Sequence, residues 1–218
     1  MDKPHRELHL FFAAENSTAV ILYRASRSLH RLIFWDTNGD KFVPGQWVKT
    51  RVYGFDCALS PDGEYFIYSA MQKGTPHLFS AVSRPPYFTA LEFFPELTAY
   101  DTGGYFLDKR VVTFKHIVDD RDEILLESGL VLNRQFQNWA HAYRPRGIGL
   151  TGYEREELAR TIEVKRGKIP ELLQQYECEG GKLFRKTAGG LELLLDCTLM
   201  EFEAIQAPYA GCTRMSDF

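Results

Sequence analysis

Cysteine is scarce in this chain and poorly placed for either metal or disulfide work. Only four occur in 218 residues, Cys57, Cys178, Cys197 and Cys212, far apart and without a CxxC pair. A chain of this length buries roughly 70 to 75% of its unfolded surface and needs no staples, so the four are expected to be buried thiols rather than disulfides or zinc ligands. Long apolar runs are missing too. No segment approaches the roughly 18 to 20 residues needed to span a bilayer. The charged start, with Asp2, Lys3, Arg6 and Glu7 ahead of a short run at Leu10 to Ala14, does not look like a secretion signal. The expectation is a cytoplasmic protein without membrane contact. Nor is there an excess of one charge. A net charge of -3 gives no field suited to gathering phosphates, so nucleic acid is not expected as a direct partner.

Catalytic signatures are equally absent. The sequence holds no GxxxxGK[ST], HExxH or GxSxG motif, which excludes the familiar phosphate cradle, zinc helix and nucleophile elbow. One literal GxGxxG stands at Gly147-Ile148-Gly149-Leu150-Thr151-Gly152, with Glu171 at about the spacing of a ribose-binding acid. A dinucleotide site needs its first glycine directly after a buried parallel strand. Here Arg144-Pro145-Arg146 intervenes, and Gln137, Asn138 and His141 leave the preceding stretch half-polar, so a glycine-rich loop is the better reading. The histidines are scattered. His30, His77, His116 and His141 fall in or beside strand candidates, where a half-buried, hydrogen-bonded imidazole is expected. No cofactor, metal ligand or catalytic residue is assigned.

What the chain has in quantity is strand punctuation: short β-branched and aromatic runs, each ended by Gly, Pro, Asn or Asp. Leu8 to Phe12, Ala19 to Arg24, His30 to Asp36 and Phe42 to Val48 form a first set, with a hairpin turn at Thr37-Asn38-Gly39-Asp40. A second set follows at Phe55 to Leu59, Tyr65 to Ala70, His77 to Val82 and Tyr87 to Phe94. Later runs at Tyr105 to Leu107, Arg110 to His116, Glu123 to Glu127, Leu130 to Leu132 and Phe136 to Tyr143 are less regular. A last set comprises Leu172 to Cys178, Lys182 to Arg185, Leu191 to Asp196 and Glu201 to Ile205. Glu154 to Val164 is the one helix candidate, weighed against an exposed strand and slightly disfavoured. Four strands repeating about every 40 to 45 residues predict an all-β fold, a small propeller-like unit of four to five blades, complete or incomplete, with at most one short helix. One domain over residues 1–218 is expected.

Leu59-Ser60-Pro61-Asp62-Gly63 followed by Tyr65-Phe66-Ile67-Tyr68 resembles the SPDG turn of WD40-like and TolB-like propeller blades. Pro61 presets the first corner, Asp62 bonds its own backbone, and Gly63 supplies positive φ. More of the chain resembles an uncharacterised bacterial family of propeller-like proteins. The matching stretches are His30 to Asp36, Ala81 to Tyr87 with Ala90-Leu91, Gly103 to Leu107, Glu179 to Arg185 and Phe202 to Tyr209. The resemblance implies the fold and carries no assigned activity or site residues.

Two kinds of loop are candidates for contact with a partner. Arg84-Pro85-Pro86-Tyr87 and Tyr143-Arg144-Pro145-Arg146 combine arginine and tyrosine with stiff corners, so Arg84, Tyr87, Tyr143, Arg144 and Arg146 are the candidate anchors. Asp119, Asp120, Asp122 and Glu123 place four carboxylates in five positions. A solvated loop is their plain reading; without a glycine an acidic docking surface fits better than calcium. The expected function is a non-enzymatic, cytoplasmic protein-binding protein, in its specific form an immunity-type inhibitor. It would neutralise a co-produced bacterial toxin, such as a nuclease, encoded by a neighbouring gene. The alternatives are a general interaction scaffold, or a hydrolase or lyase using a central funnel.

Overall fold

The computed structural model describes residues 6–71, 74, 77–96, 103–114, 122–134 and 151–212. Among the described residues the chain is mostly β, in four sheets with two helices. The first sheet is an antiparallel meander of β1 (Glu7–Phe12), β2 (Thr18–Ser26), β3 (Leu29–Asp36) and β4 (Lys41–Val48). The second repeats that plan with β5 (Ala58–Leu59), β6 (Phe66–Met71), β7 (Leu78–Ser83) and β8 (Ala90–Glu96). In its SPDG turn Gly63 has φ 75° and Asp62 Oδ1 accepts from Glu64 N at 3.1 Å. The expected strand at Phe55 to Leu59 forms only at its end, because Gly54–Asp56 make a 3-10 turn.

The third sheet departs from a meander. It contains β9 (Gly104–Asp108), β10 (Val111–Phe114), β11 (Glu123–Leu125) and β12 (Val131–Asn133), in the order β11-β12-β10-β9, with β10 and β12 parallel. The fourth has three strands where four were expected: β13 (Tyr176–Glu179), β14 (Lys182–Thr187) and β15 (Gly190–Asp196). The run from Leu172 is not a strand at its start, since Pro170–Leu173 forms a short helix, α2, with proline at its first turn. Glu201 to Ile205 has no regular secondary structure and joins no described sheet. The expected strand at Phe136 to Tyr143 lies outside the described residues.

The helix candidate is a helix. The 14-residue α1 (Gly152–Lys165) starts on a capping box in which Thr151 Oγ1 accepts from Glu154 N at 3.3 Å and Glu154 Oε2 accepts from Thr151 N at 2.7 Å. The limit of one short helix is therefore corrected. The Thr-x-x-Glu pair is the local signal for it, and Leu158 and Ile162 supply the apolar contact with the third sheet.

Three apolar clusters stack the sheets in the order fourth, first, second, third. Leu8, Leu10, Phe12 and Trp35 of the first sheet meet Leu183, Leu195 and Tyr176 of the fourth. On the other side Phe11, Val20 and Leu32 meet Phe66, Tyr68 and Phe79 of the second. Ala58, Ile67 and Val82 then meet Phe106, Val112 and Phe114 of the third. The starting strands lie side by side, β1 against β5 and β13, and β5 against β9. The tail of α1 crosses them: Arg166 O accepts from Leu59 N at 3.1 Å, and Gly167 O from Phe12 N at 2.7 Å. Gly167 has φ 80°, and a Cβ there would sit 2.9 Å from Phe12 O. Cys57 and Cys197 are buried thiols as expected, Cys212 is half-buried, and Cys178 is exposed; none is in a disulfide.

Candidate functional site

The Arg84 to Tyr87 corner joins β7 to β8 and is tied down from two sides. From β4, Gln46 N donates to Pro86 O at 2.9 Å while Gln46 Oε1 accepts from Phe88 N at 2.7 Å and Thr89 N at 3.0 Å. Gly45 has no room for a side chain, because a Cβ would lie 2.1 Å from Pro86 O. From the C-terminal side, Tyr209 Oη accepts from Arg84 N at 3.0 Å and donates to Thr89 O at 2.9 Å, and its ring meets Tyr87 edge-on. The Arg84 guanidinium lies over Tyr65. Arg84 is exposed and Tyr87 half-buried. This corner is largely a structural joint, with Arg84 its outward group.

Asp122 and Glu123 are exposed at the start of β11, on a different sheet, and Glu123 Oε1 accepts from Asn133 Nδ2 at 2.9 Å. Asp119, Asp120, Tyr143, Arg144 and Arg146 lie outside the described residues, as do His116, His141, Gly147 and Gly149. The helix beginning at Gly152 satisfies one demand of a dinucleotide site, but its N-terminus is already occupied by the Glu154 carboxylate. Glu171 is held by Arg160 at 2.6 Å. An acidic first turn disfavours phosphate.

A cleft of about 270 Å³ lies where the starting strands meet, bordered by His9, Phe55, Glu163, Lys168, Tyr176 and Cys178. His9 shares a face of β1 with Phe11, and its ring meets Phe55 edge-on at 5.5 Å. Burial lowers its pKa; Glu7, 3.5 Å from Nε2, acts in the opposite direction, while Lys168 and Arg24 add to the lowering. Glu163 takes both nearby cations, Lys168 at 3.2 Å and Arg166 at 3.2 Å. Arg166 Nη1 also donates to Phe55 O at 3.0 Å. The charges thus compensate one another and fix the helix tail against the 3-10 turn. His9 carried no sequence signal beyond being the one polar residue in the run Leu8 to Phe12.

His30 is a buried, bonded histidine, as expected: it is 1% exposed and its Nδ1 lies 2.9 Å from Thr50 O. His77 is exposed instead, because it precedes β7 rather than lying in it. Among the described residues no three His, Cys, Asp or Glu side chains gather as a metal site. No described helix is long and apolar enough to cross a membrane.

The fourth sheet leaves two apolar side chains of one strand half in water, side by side on one face. Leu191 and Leu193 are 50% and 51% exposed, on the face that also carries Phe184. No protein-family model, no curated protein and no solved structure matches the chain.

Proposed function

We propose that this protein works by binding another protein, and that in its specific form it is an immunity-type inhibitor of a toxin encoded by a neighbouring gene. The observation that carries the binding reading is the adjacent pair Leu191 and Leu193, half exposed on one face of the fourth sheet, since contiguous apolar surface left in water marks contact surfaces. The exposed carboxylates of Asp122 and Glu123, on the third sheet, and the outward Arg84, on the second, are separate polar candidates for contact with a partner. A cytoplasmic location belongs to the same proposal, and fractionation of a tagged chain tests it. Expression of the protein should protect cells that carry the neighbouring gene product. Unchanged killing would sink the immunity form.

We infer further that the four sheets are blades of a small propeller. Face-to-face stacking, starting strands side by side and the SPDG turn support this reading. A crystal structure with the sheets paired as a sandwich would contradict it.

The alternative catalytic reading rests on the cleft around His9, where a histidine biased toward its neutral form borders an exposed thiol. If that cleft were catalytic, His9→Gln would abolish a measurable hydrolase activity. Under the binding reading it leaves protection intact.

A further inference from the structure

Four strands form the outer edges of the four sheets, and three of them are guarded. β4 contains Pro44, and its Gln46 is engaged by Pro86 O and, through Nε2, by Ile205 O. β8 contains Pro95, and Cys212 N donates to Ala90 O at 2.8 Å. β11 is only three residues long. Proline, shortness and a covering segment are the usual means of keeping a sheet edge from recruiting another chain. Among the described residues β15 has none of them. It is seven residues long, GLELLLD, without proline or lysine, and Gly190 to Leu193 are all exposed. Among the described residues its backbone pairs with β14 alone. The sheet it ends is also one strand short of the other three.

The side chains along this edge specify what would fit. Leu191 and Leu193 project from one face, opposite Lys186 and Phe184 of β14. Glu192 projects from the other, and its side chain is 55% exposed. Arg185 is its nearest cation, at 3.7 Å, but that guanidinium is committed to Asp40 at 2.7 and 2.8 Å. Beyond Leu193 a bulge at Leu194 interrupts the regular edge. A second copy would be a poor occupant: the register that sets Leu191 opposite Leu193 sets Glu192 opposite itself, and like charges directly across a ladder destabilise it.

We propose that the open edge of β15 receives an extended strand of the protein partner, with a basic residue opposite Glu192 and apolar residues opposite Leu191 and Leu193. Backbone pairing to Gly190 to Leu193 supplies affinity, and the apolar-basic-apolar pattern supplies selectivity. This rests on the reading of the chain as a binding protein and names the chemistry of its partner.

The test uses the full chain, isotope-labelled, titrated with a blocked Thr-Val-Lys-Val-Thr peptide and followed by amide NMR. Shifts should concentrate at Gly190 to Leu193, and the peptide with Glu in place of Lys should bind about threefold or more weakly. The double variant Leu191→Lys, Leu193→Lys should lose the response while keeping its melting temperature, because both side chains are in water already. Shifts elsewhere, or equal binding of the two peptides, overturn the proposal. So does peptide-free, concentration-dependent pairing of β15, which would mark a second copy as the occupant. A partner recovered from cells that leaves β15 amide exchange unchanged overturns the edge and spares the binding reading. Peptide binding at β15 with no cellular partner does the reverse.

Discussion

His30 shows how one buried side chain makes the stability of the fold depend on pH. Burial lowers its pKa from about 6.5 to about 4, with the Thr50 carbonyl opposing the shift and Arg24 adding to it. Above pH 6.5 the ring is neutral in both folded and unfolded chains and costs nothing. Between pH 6.5 and 4 only the unfolded chain takes the proton, so stability falls by about 1.4 kcal/mol per pH unit, roughly 3 kcal/mol in all. Below pH 4 this loss levels off. Urea midpoints at pH 7, 5.5 and 4 should track it, with a shallower slope in His30→Asn. An imidazole signal for His30 titrating near 6.5 would contradict the assignment. Gly45 constrains the fold by sterics instead. Gly45→Ala must displace Pro86 and should cost more than about 1 kcal/mol, read as a lower urea midpoint.

Elements were legible where their signals were local. The alternation in β1 to β4 and β6 to β8, with Asn38-Gly39 and Ser60 to Gly63 between strands, placed two sheets to within a few residues. The parallel pairing of β10 with β12 was not legible, because nothing in Val111–Phe114 distinguishes a parallel neighbour from an antiparallel one. Glu201 to Ile205 looked like a strand because its apolar residues alternate. Its bonds instead go to side chains: Gln46 Nε2 donates to Ile205 O, and Arg31 reaches Glu203 at 3.4 Å. Of the candidate anchors, the Arg84 to Tyr87 corner was legible as stiff, but its fastening by Tyr209 came from a residue 125 positions away from Arg84. The start of α1 was written in Thr151 and Glu154. Thr151→Ala should cost about 1 kcal/mol, seen as a lower melting temperature, whereas Thr151→Ser should be nearly neutral.

Across the whole molecule, the segment after Met200 straps the first two sheets together. It meets β4 at Gln46, the β7–β8 corner at Arg84 and Thr89, and β8 at Ala90. A chain ending at Met200 loses these bonds and uncovers the edges of β4 and β8. Its melting temperature should fall by on the order of 10 °C, and gel filtration should show self-association. The fourth sheet is joined to the first by a buried apolar contact and by the Arg185–Asp40 pair, which leaves its far face in water. That face is where a partner is expected. The most direct measurement is native mass spectrometry of the tagged chain after co-expression with the products of its neighbouring genes. A stoichiometric complex of the 25.1 kDa chain with one of those products is the predicted result. The free chain alone, recovered from cells in which every neighbouring product is present and folded, would contradict the proposal that it acts by binding one of them.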